Sequence, residues 1–254
     1  MKRLVIFILF IPLLTWPQEN SIMATKFILG ETEISIYEQK SQAPGNIVFV
    51  NVHEDETTSI ETLYRYADID SIHFFYLRHQ WTRRIVFTMK GRNYDFDPNR
   101  IFTKKGRKKT LKDGANYSGK ANKQVKKLAE AILNRLPEGH TVVAVHNNTD
   151  EEYSIKSYAE GGGEAENTKS VYINPDTDPD DFIYTTDSYF YEAFKKAGVN
   201  VILQDNKGYV NDGSLSVYCG KNEISYINIE TQKGHFDAQM RLMEQVLRVV
   251  RSRK

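Results

Sequence analysis

Two histidines and two glutamates stand next to apolar runs that have the composition of buried strands. His53 and Glu56 follow "IVFVNV" directly. His146 follows "TVVAV", and Glu230 follows "ISYINI". In an open α/β sheet, strands deliver such side chains to the carboxyl edge, where binding sites form. Two imidazoles and one carboxylate are the ligand set of a catalytic zinc site, and a free carboxylate beside them can act as a general base.

The same residues also allow a purely structural interpretation. A lone histidine at the end of a strand is usually hydrogen-bonded to its neighbours and does nothing more. The string H-x-x-E is short and common, so His53 and Glu56 alone do not decide the matter. The spacing therefore leaves both a metal site and hydrogen-bonded structural histidines open.

The segments around these residues alternate between strands and amphipathic helices. Apolar runs predict strands at "GNIVFVNVH", "HTVVAVHNN", "VNVILQDN" and "ISYINIE". Helical spacing predicts helices at "SIETLYRYADI", "ANKQVKKLAEAILNRLPEG", "DSYFYEAFKKAGVN" and "HFDAQMRLMEQVLRVVRSRK". A hairpin is predicted at "KFILGETEISIYEQ", with its turn near Gly30. This alternation predicts an α/β fold, with one domain over residues 25–254 and a mixed, largely parallel β-sheet flanked by helices.

Two polar segments lack this periodicity and are predicted to be loops, namely residues 103–120 and 158–170. The basic residues between Lys104 and Lys112 could contact nucleic acid, but basic loops are more often simply solvated. The formal net charge of +1 creates no field that would draw the chain to nucleic acid, so no such partner is expected. The single cysteine, Cys219, excludes an intramolecular disulfide and a cysteine-based metal cluster.

Residues 1–20 have the pattern of a signal peptide. Lys2 and Arg3 precede an apolar run at residues 4–14, which is short for a membrane span and suits a secretory segment. A buried N-terminal helix is the alternative, and the basic start disfavours it. No A-x-A site follows, so the cleavage point stays open. The pattern predicts an exported protein, periplasmic or extracellular, without a stable membrane anchor beyond this segment.

Four short motifs, taken in order, resemble the zinc carboxypeptidase superfamily: "HEDE", "DFDPNRIF", "VHNNT" and "INIETQ". The similarity is strongest to the branch of aspartoacylase and succinylglutamate desuccinylase. That branch has H-x-x-E, Asp-Leu-Asn-Arg-x-Phe, His-Asn-x-Thr and Ile-Glu in this order, with similar gaps. The resemblance covers roughly residues 46–250. It implies the α/β fold of the family, a bound zinc ion and hydrolysis of an amide bond.

The resemblance also implies roles for the residues of the metal centre. His53, Glu56 and His146 look like the zinc ligands. Asp97 matches a carboxylate that orients the first ligand histidine through a hydrogen bond. Glu230 looks like the general base that later acts as the acid.

Substrate-binding roles follow from the same motifs. Arg92 matches an arginine that polarises the scissile carbonyl. Asn99 and Arg100 match a pair that holds a free carboxylate, a task suited to the planar guanidinium of arginine. A looser similarity of "GYVNDGSLSVYCGKNEISYINIE" to the carboxypeptidases proper implies that Tyr209 is a mobile active-site tyrosine, although it could be an ordinary loop residue. By the same similarity, Leu215 would line an apolar pocket for the terminal side chain.

These implications together predict an exported zinc metallocarboxypeptidase that cleaves an amide bond next to a residue with a free carboxylate. Its substrate would be a peptide, for instance one of the cell envelope, or an N-acyl amino acid. Two alternatives stay open: an N-acyl amino acid deacylase of the aspartoacylase type, and a carboxypeptidase-like binding module without turnover. The presence of Glu230 and Arg92 beside the ligand candidates argues against the binding module. Nothing in the sequence indicates the oligomeric state.

Overall fold

The computed structural model describes residues 22–41, 46–69, 72–149 and 153–253. The predicted signal peptide lies outside these described residues. The strands are β1 (Met23–Leu29), β2 (Thr32–Gln39), β3 (Ile47–Asn51), β4 (His73–Arg78), β5 (Ile85–Met89), β6 (Arg92–Phe96), β7 (Thr141–Asn148), β8 (Thr168–Tyr172), β9 (Phe182–Thr185), β10 (Val201–Gln204) and β11 (Tyr226–Gln232). The helices are α1 (Thr57–Ile69), α2 (Lys104–Asp113), α3 (Gly119–Leu133), α4 (Ser188–Lys196), α5 (Leu215–Lys221) and α6 (Phe236–Ser252).

Nine strands form one twisted sheet in the order β1-β2-β4-β3-β7-β11-β9-β10-β8, and β5 pairs with β6 in a separate hairpin. The central strands β4, β3, β7 and β11 run parallel to one another, and β9 and β10 form a second parallel pair. The pairs β1–β2, β2–β4, β11–β9 and β10–β8 are antiparallel. The predicted α/β fold with a mixed sheet flanked by helices is confirmed. Because parallel strands end at the same edge of a sheet, the carboxyl ends of β3, β7 and β11 lie side by side.

Both faces of the sheet are covered, which explains why the central strands are apolar on both sides. One face packs against α2, α3, α5 and the β5–β6 hairpin. The other face packs against α1, α4 and α6. Among the described residues, no helix combines the length and the apolar character that a membrane crossing requires.

The strongest helix prediction is confirmed by α3. The Ser118 hydroxyl accepts a hydrogen bond from the Ala121 backbone N–H at 3.0 Å, which caps the helix start. Val125, Leu128 and Ile132 recur at helical spacing and are fully buried. The helix therefore holds the sheet through one apolar face and leaves its lysines in solvent.

The prediction of a loop over residues 103–120 is wrong, because α2 occupies much of that segment. The Thr103 hydroxyl caps the helix by accepting from the Gly106 N–H at 3.0 Å. The buried face of the helix consists of Gly106, Arg107, Thr110 and Leu111. Only one of these four residues is a large apolar residue, so the hydrophobic period that identifies helices was missing from the sequence.

Candidate metal centre and active-site cleft

Three buried side chains converge where the parallel strands end. His53 and Glu56 follow β3, and His146 lies on β7. The Nδ1 atoms of the two histidines are 3.3 Å apart, and each lies 2.8 Å from a carboxylate oxygen of Glu56. One ligand atom from each residue lies within 4.8 Å of the others. The three residues form a group that could hold a metal ion.

Asp97 fixes the orientation of the first histidine. Its Oδ1 accepts a hydrogen bond from His53 Nε2 at 2.9 Å. In a neutral imidazole the proton is then on Nε2, and the lone pair is on Nδ1, the atom that faces Glu56. The same oxygen accepts from the Asn99 backbone N–H at 2.8 Å and so begins the short 3₁₀ turn Pro98–Arg100. One carboxylate therefore orients both the metal centre and the adjacent turn.

Charges in this cluster compensate one another. Burial lowers the pKa of His53, but the carboxylates of Glu56 and Asp97 outweigh burial and raise that pKa to about 9. Burial by itself would raise the pKa of Glu56, but His146 and His53 hold it well below its usual range. The pKa of Asp97 is lowered against burial in the same way, chiefly by its hydrogen bond with His53. Both carboxylates therefore stay ionised. A bound metal ion could take over the role of positive charge beside them, because metal ligands bind in their deprotonated forms.

Glu230 lies beside His146 on the neighbouring strand β11, at the same register position. Its Oε1 accepts a hydrogen bond from Asn228 Nδ2 at 2.9 Å. Burial raises the pKa of Glu230 by more than the nearby His146 lowers it. A carboxyl group with a raised pKa binds a proton more readily than an ordinary glutamate, which suits a general base that must later act as the acid.

An arginine reaches the same cluster from the loop between β4 and β5. Arg83 Nη1 lies 2.9 Å from Glu56 Oε1, and Arg83 Nε lies 4.0 Å from Asp97 Oδ2. Its side chain is 50% exposed, so one part of the guanidinium faces the carboxylates and another faces solvent. This geometry suits a group that meets negative charge developing on a bound substrate.

The loop that carries Arg83 is fixed by Glu54, the second residue of the "HEDE" motif. Glu54 Oε2 accepts from the backbone N–H groups of His79 and Trp81 at 2.5 and 2.9 Å. Trp81 has a φ of +58°, a conformation that costs a non-glycine residue roughly 1–2 kcal/mol. The Arg78 guanidinium lies 4.9 Å from the centre of the Trp81 ring. A buried carboxylate thus holds a strained turn two residues before Arg83.

Asn99 and Arg100 face the cleft from the turn that Asp97 begins. Asn99 Oδ1 accepts from the Leu215 N–H at 3.1 Å, so its amide NH₂ is the group that it can offer a ligand. Arg100 Nη1 donates to the Asn99 carbonyl at 3.0 Å, and Arg100 Nε lies 3.4 Å from Asp212. A Cβ atom at Gly213 would lie 2.5 Å from the Arg100 carbonyl oxygen, so this close approach requires glycine.

A cleft of about 620 Å³ is lined by six of these residues: Glu56, Arg83, Asn99, Arg100, His146 and Glu230. Its walls also include Asp55, Tyr153, Tyr158, Glu164 and Lys233. The two tyrosine hydroxyls hydrogen-bond to each other, and burial raises the pKa of both well above the usual range. Among the described residues that line the cleft, none has an aliphatic side chain. The cleft is therefore built for a polar ligand.

Seven of the ten residues singled out in the sequence come together here: His53, Glu56, Asp97, Asn99, Arg100, His146 and Glu230. Three others do not line the cleft. Arg92 is exposed at the turn of the β5–β6 hairpin, and Arg83 is the arginine that reaches the metal-ligand candidates instead. Tyr209 lines a different cavity, beside Asp187. Leu215 is 1% exposed and packs in the core at the start of α5.

Comparison with known proteins finds similarity in structure and none in sequence. No family model matches the chain, and no curated protein matches it. The chain is similar to a candidate metallopeptidase from Shewanella denitrificans, with 13% identity over 89% of this chain and 82% of that chain and a TM-score of 0.43. It is also similar to a candidate succinylglutamate desuccinylase/aspartoacylase family protein from Shewanella amazonensis (9% identity, 90% and 72% of the chains, TM-score 0.44). A metallo-carboxypeptidase from Burkholderia cenocepacia matches with 13% identity, 90% and 65% coverage and a TM-score of 0.45.

Sequence reasoning missed several residues of the cleft. Asn228 had a usable signal, because it precedes Glu230 by two positions on a strand and must share its face. Arg83 had a weaker signal, as one of several polar residues in the connection "HQWTRR" after a predicted strand. Tyr153 and Tyr158 had none, because 15 tyrosines are spread along the chain and nothing local distinguishes these two.

Proposed function

We propose that this chain is a zinc-dependent metallohydrolase that cleaves an amide bond next to a residue with a free carboxylate, as a metallocarboxypeptidase does. The observation that carries the proposal is the convergence of His53, Glu56 and His146 beside the buried Glu230, in a cleft that also contains two arginines. Each of these groups has a separate task in amide hydrolysis, and the cleft holds all of them together.

The donor set fits zinc. Two imidazole nitrogens and a carboxylate are the ligands that a catalytic zinc ion uses, and they leave a coordination position for other groups. His53, Glu56 and His146 would hold the ion, and Asp97 keeps the first imidazole in the tautomer that binding requires. When bound, zinc would polarise the scissile carbonyl and make a water molecule more acidic.

Glu230 performs the proton transfers. Its carboxylate takes a proton from the water that attacks the carbonyl carbon, and a new carbon–oxygen bond forms. Glu230 then gives that proton to the amide nitrogen as the carbon–nitrogen bond breaks, which releases an amine and a carboxylic acid, and the acid passes its remaining proton to the amine. Its raised pKa lets it hold the proton between the two steps, and Asn228 keeps its carboxyl group oriented.

The arginines handle the charges of the substrate. Arg83 is close enough to the reacting groups to stabilise the negative charge that develops on the carbonyl oxygen. Arg100 and the Asn99 amide bind the free carboxylate of the residue being released. Burial opposes the charge of Arg100, but Asp212 and Asp97 raise its pKa, so the guanidinium stays cationic.

We further infer that the protein acts outside the cytoplasm, periplasmic or extracellular, on peptides of the cell envelope. This part of the proposal rests on the signal-peptide pattern of residues 1–20.

The test begins with metal content. The purified protein, incubated with zinc and washed, should retain about one zinc per chain, and His146→Ala should lose it. His235→Ala is the matched control, because His235 is exposed and lines a different cavity. Absence of stoichiometric metal in the parent protein would overturn the proposal.

Hydrolysis of blocked dipeptides and of N-acyl amino acids then separates the candidate activities. Release of the terminal amino acid from the dipeptides supports a carboxypeptidase. Turnover of the N-acyl amino acids alone would indicate a deacylase instead. Metal binding without turnover of either class would indicate a binding module.

A further inference from the structure

The cleft lacks the apolar pocket that the sequence predicts for the terminal side chain of the substrate. Leu215, which would line such a pocket, is buried in the core, where its side chain packs among other apolar residues. The described residues around the cleft offer amides, hydroxyls and charges, and no aliphatic side chain. An apolar terminal residue would therefore leave these polar groups without partners, at a cost in binding free energy.

Glu164 is an acidic group of this lining that comes from residues 153–167, a segment separate in sequence from the metal-ligand motifs. Within the described ranges its carboxylate makes no ion pair, and it accepts one hydrogen bond, from Asn167 Nδ2 at 2.7 Å. It lies outside the strands that carry the metal-ligand candidates, so it has no evident part in the chemical step.

The position of Glu164 is fixed by its surroundings. Its backbone N–H donates to the Ser157 carbonyl at 2.8 Å. Asn167, which holds the carboxylate, accepts in turn from the Val210 N–H at 2.8 Å. The preceding 3₁₀ turn Ile155–Tyr158 packs Ile155 and Tyr158 against the sheet. A carboxylate held this firmly can select a ligand at little cost in side-chain entropy.

Glu164 and Arg100 line the same cleft as the hydrogen-bonded pair Tyr153 and Tyr158. Burial and then neighbouring negative charges, Glu164 among them, raise the pKa of both tyrosines. Both tyrosines in turn contribute to the raised pKa of Arg100. A cation-binding group and an anion-binding group therefore lie around the same two rings.

We propose that the cleft selects a released residue that carries a cationic side chain as well as its free carboxylate, as lysine, ornithine or another diamino acid does. Arg100 binds the carboxylate, the tyrosine rings cover the aliphatic stem, and Glu164 binds the ammonium group. The inference rests on the proposed function, because it names the substrate class of the same site.

The test measures binding separately from turnover. Zinc-incubated Glu230→Gln protein is titrated calorimetrically with benzoylglycyl-lysine, with its uncharged isostere benzoylglycyl-norleucine, and with benzoylglycyl-glutamate. The lysine peptide should bind about tenfold more tightly than the norleucine peptide, because only its ammonium group can pair with Glu164. Adding Glu164→Gln should bring that ratio close to one, and Glu164→Lys should favour the glutamate peptide. Glu166→Gln, which changes an exposed neighbour, should leave the ratio unchanged.

Equal binding of the lysine and norleucine peptides would overturn the inference, and so would a lysine preference that persists in Glu164→Gln. A preference for the glutamate peptide in the parent protein would also overturn it and point to Lys233 on the same cleft. Hydrolysis of the peptides by protein with Glu230 intact is scored separately. A lysine preference in binding without hydrolysis would contradict the proposed function and leave this inference standing.

Discussion

Two cavities of this protein are lined by acidic side chains, and the balance between burial and neighbouring charge differs between Glu56 in one and Asp181 in the other. In the active-site cleft, His146 and His53 lower the pKa of Glu56 despite burial, and behind the cleft lining His53, Arg100 and Arg83 lower the pKa of Asp97. The other cavity, of about 790 Å³, is lined by four aspartates: Asp176, Asp178, Asp181 and Asp237. There, burial and then Asp178 raise the pKa of Asp181 to about 6.

The difference shows that cavity size does not locate the functional site. The larger cavity has many acids, but Asp181 Oδ1 is buried without a hydrogen-bond partner among the described residues. In the smaller cleft Asp55 Oδ1 also lacks a partner among the described residues, but Glu56 and Asp97, the carboxylates at the metal-ligand candidates, are each held by several donors. A carboxylate that is held by several donors has a fixed position, and binding and catalysis require groups in fixed positions.

The largest expected effect comes from removing the proton-transfer group. Glu230→Gln should lower kcat for peptide hydrolysis by about 10²–10⁴-fold, because an amide can neither take up nor return the proton. Zinc content should stay at the parent level, since Glu230 is not among the metal-ligand candidates. Asp178→Asn in the acidic cavity is the control, and a comparable loss of kcat there would break the comparison between the two cavities.

Arg83 should produce the next largest effect. Arg83→Ala should lower kcat by about 10²–10³-fold, since a fixed positive charge near the developing oxyanion is lost. Arg92→Ala, made in the exposed hairpin, should leave kcat unchanged. The opposite ranking of these two variants would restore the role that the sequence implies for Arg92.

Glu54 should act through Arg83, and a double-mutant cycle can establish this. Glu54→Gln weakens the hold on the backbone of His79 and Trp81 and should lower kcat by about tenfold. In an Arg83→Ala background the same change should have no further effect on kcat. Additive losses in the double variant would mean that Glu54 supports the fold in general and does not position Arg83.

The smallest effect concerns stability in the acidic cavity. Folding raises the pKa of Asp181 from 3.8 to about 6, so the folded protein binds this proton more tightly than the unfolded chain does. The parent protein therefore loses stability as the pH rises through that interval. Asp181→Asn should increase the free energy of unfolding at pH 7.5 by on the order of 1 kcal/mol or less, because solvent screens this part-exposed group. The gain should vanish near pH 4, and thermal unfolding at both pH values checks it.

The sequence was most informative where chemistry and periodicity coincide. His53, His146 and Glu230 were recognisable because each follows a run of apolar residues, and the parallel strands then had to place them at one edge. Helix α3 was recognisable because its apolar residues repeat at helical spacing. In both cases the residues that determine the structural feature are close together in the sequence.

The sequence was least informative where distant segments meet. Helix α2 buries glycine, threonine and arginine, and these residues give no hydrophobic period. Arg83 reaches the cleft only because Glu54 and a strained turn direct its loop there, and no local pattern encodes such a contact between segments. Tyr153 and Tyr158 belong to the cleft through packing on β9, which is remote in sequence.

Asp97 binds the metal centre and the carboxylate-binding turn with a single oxygen atom, through His53 Nε2 and the Asn99 N–H. In the proposed enzyme, metal binding and substrate binding would both act on this oxygen, so we expect them to share a coupling free energy. If a bound metal ion steadies Asp97 and so improves the grip of the turn on the released amino acid, that amino acid must tighten metal binding by the same factor. If the proposed function is right, product that accumulates around the protein would then slow the loss of the metal ion, and the metal would be retained best where substrate has been most abundant.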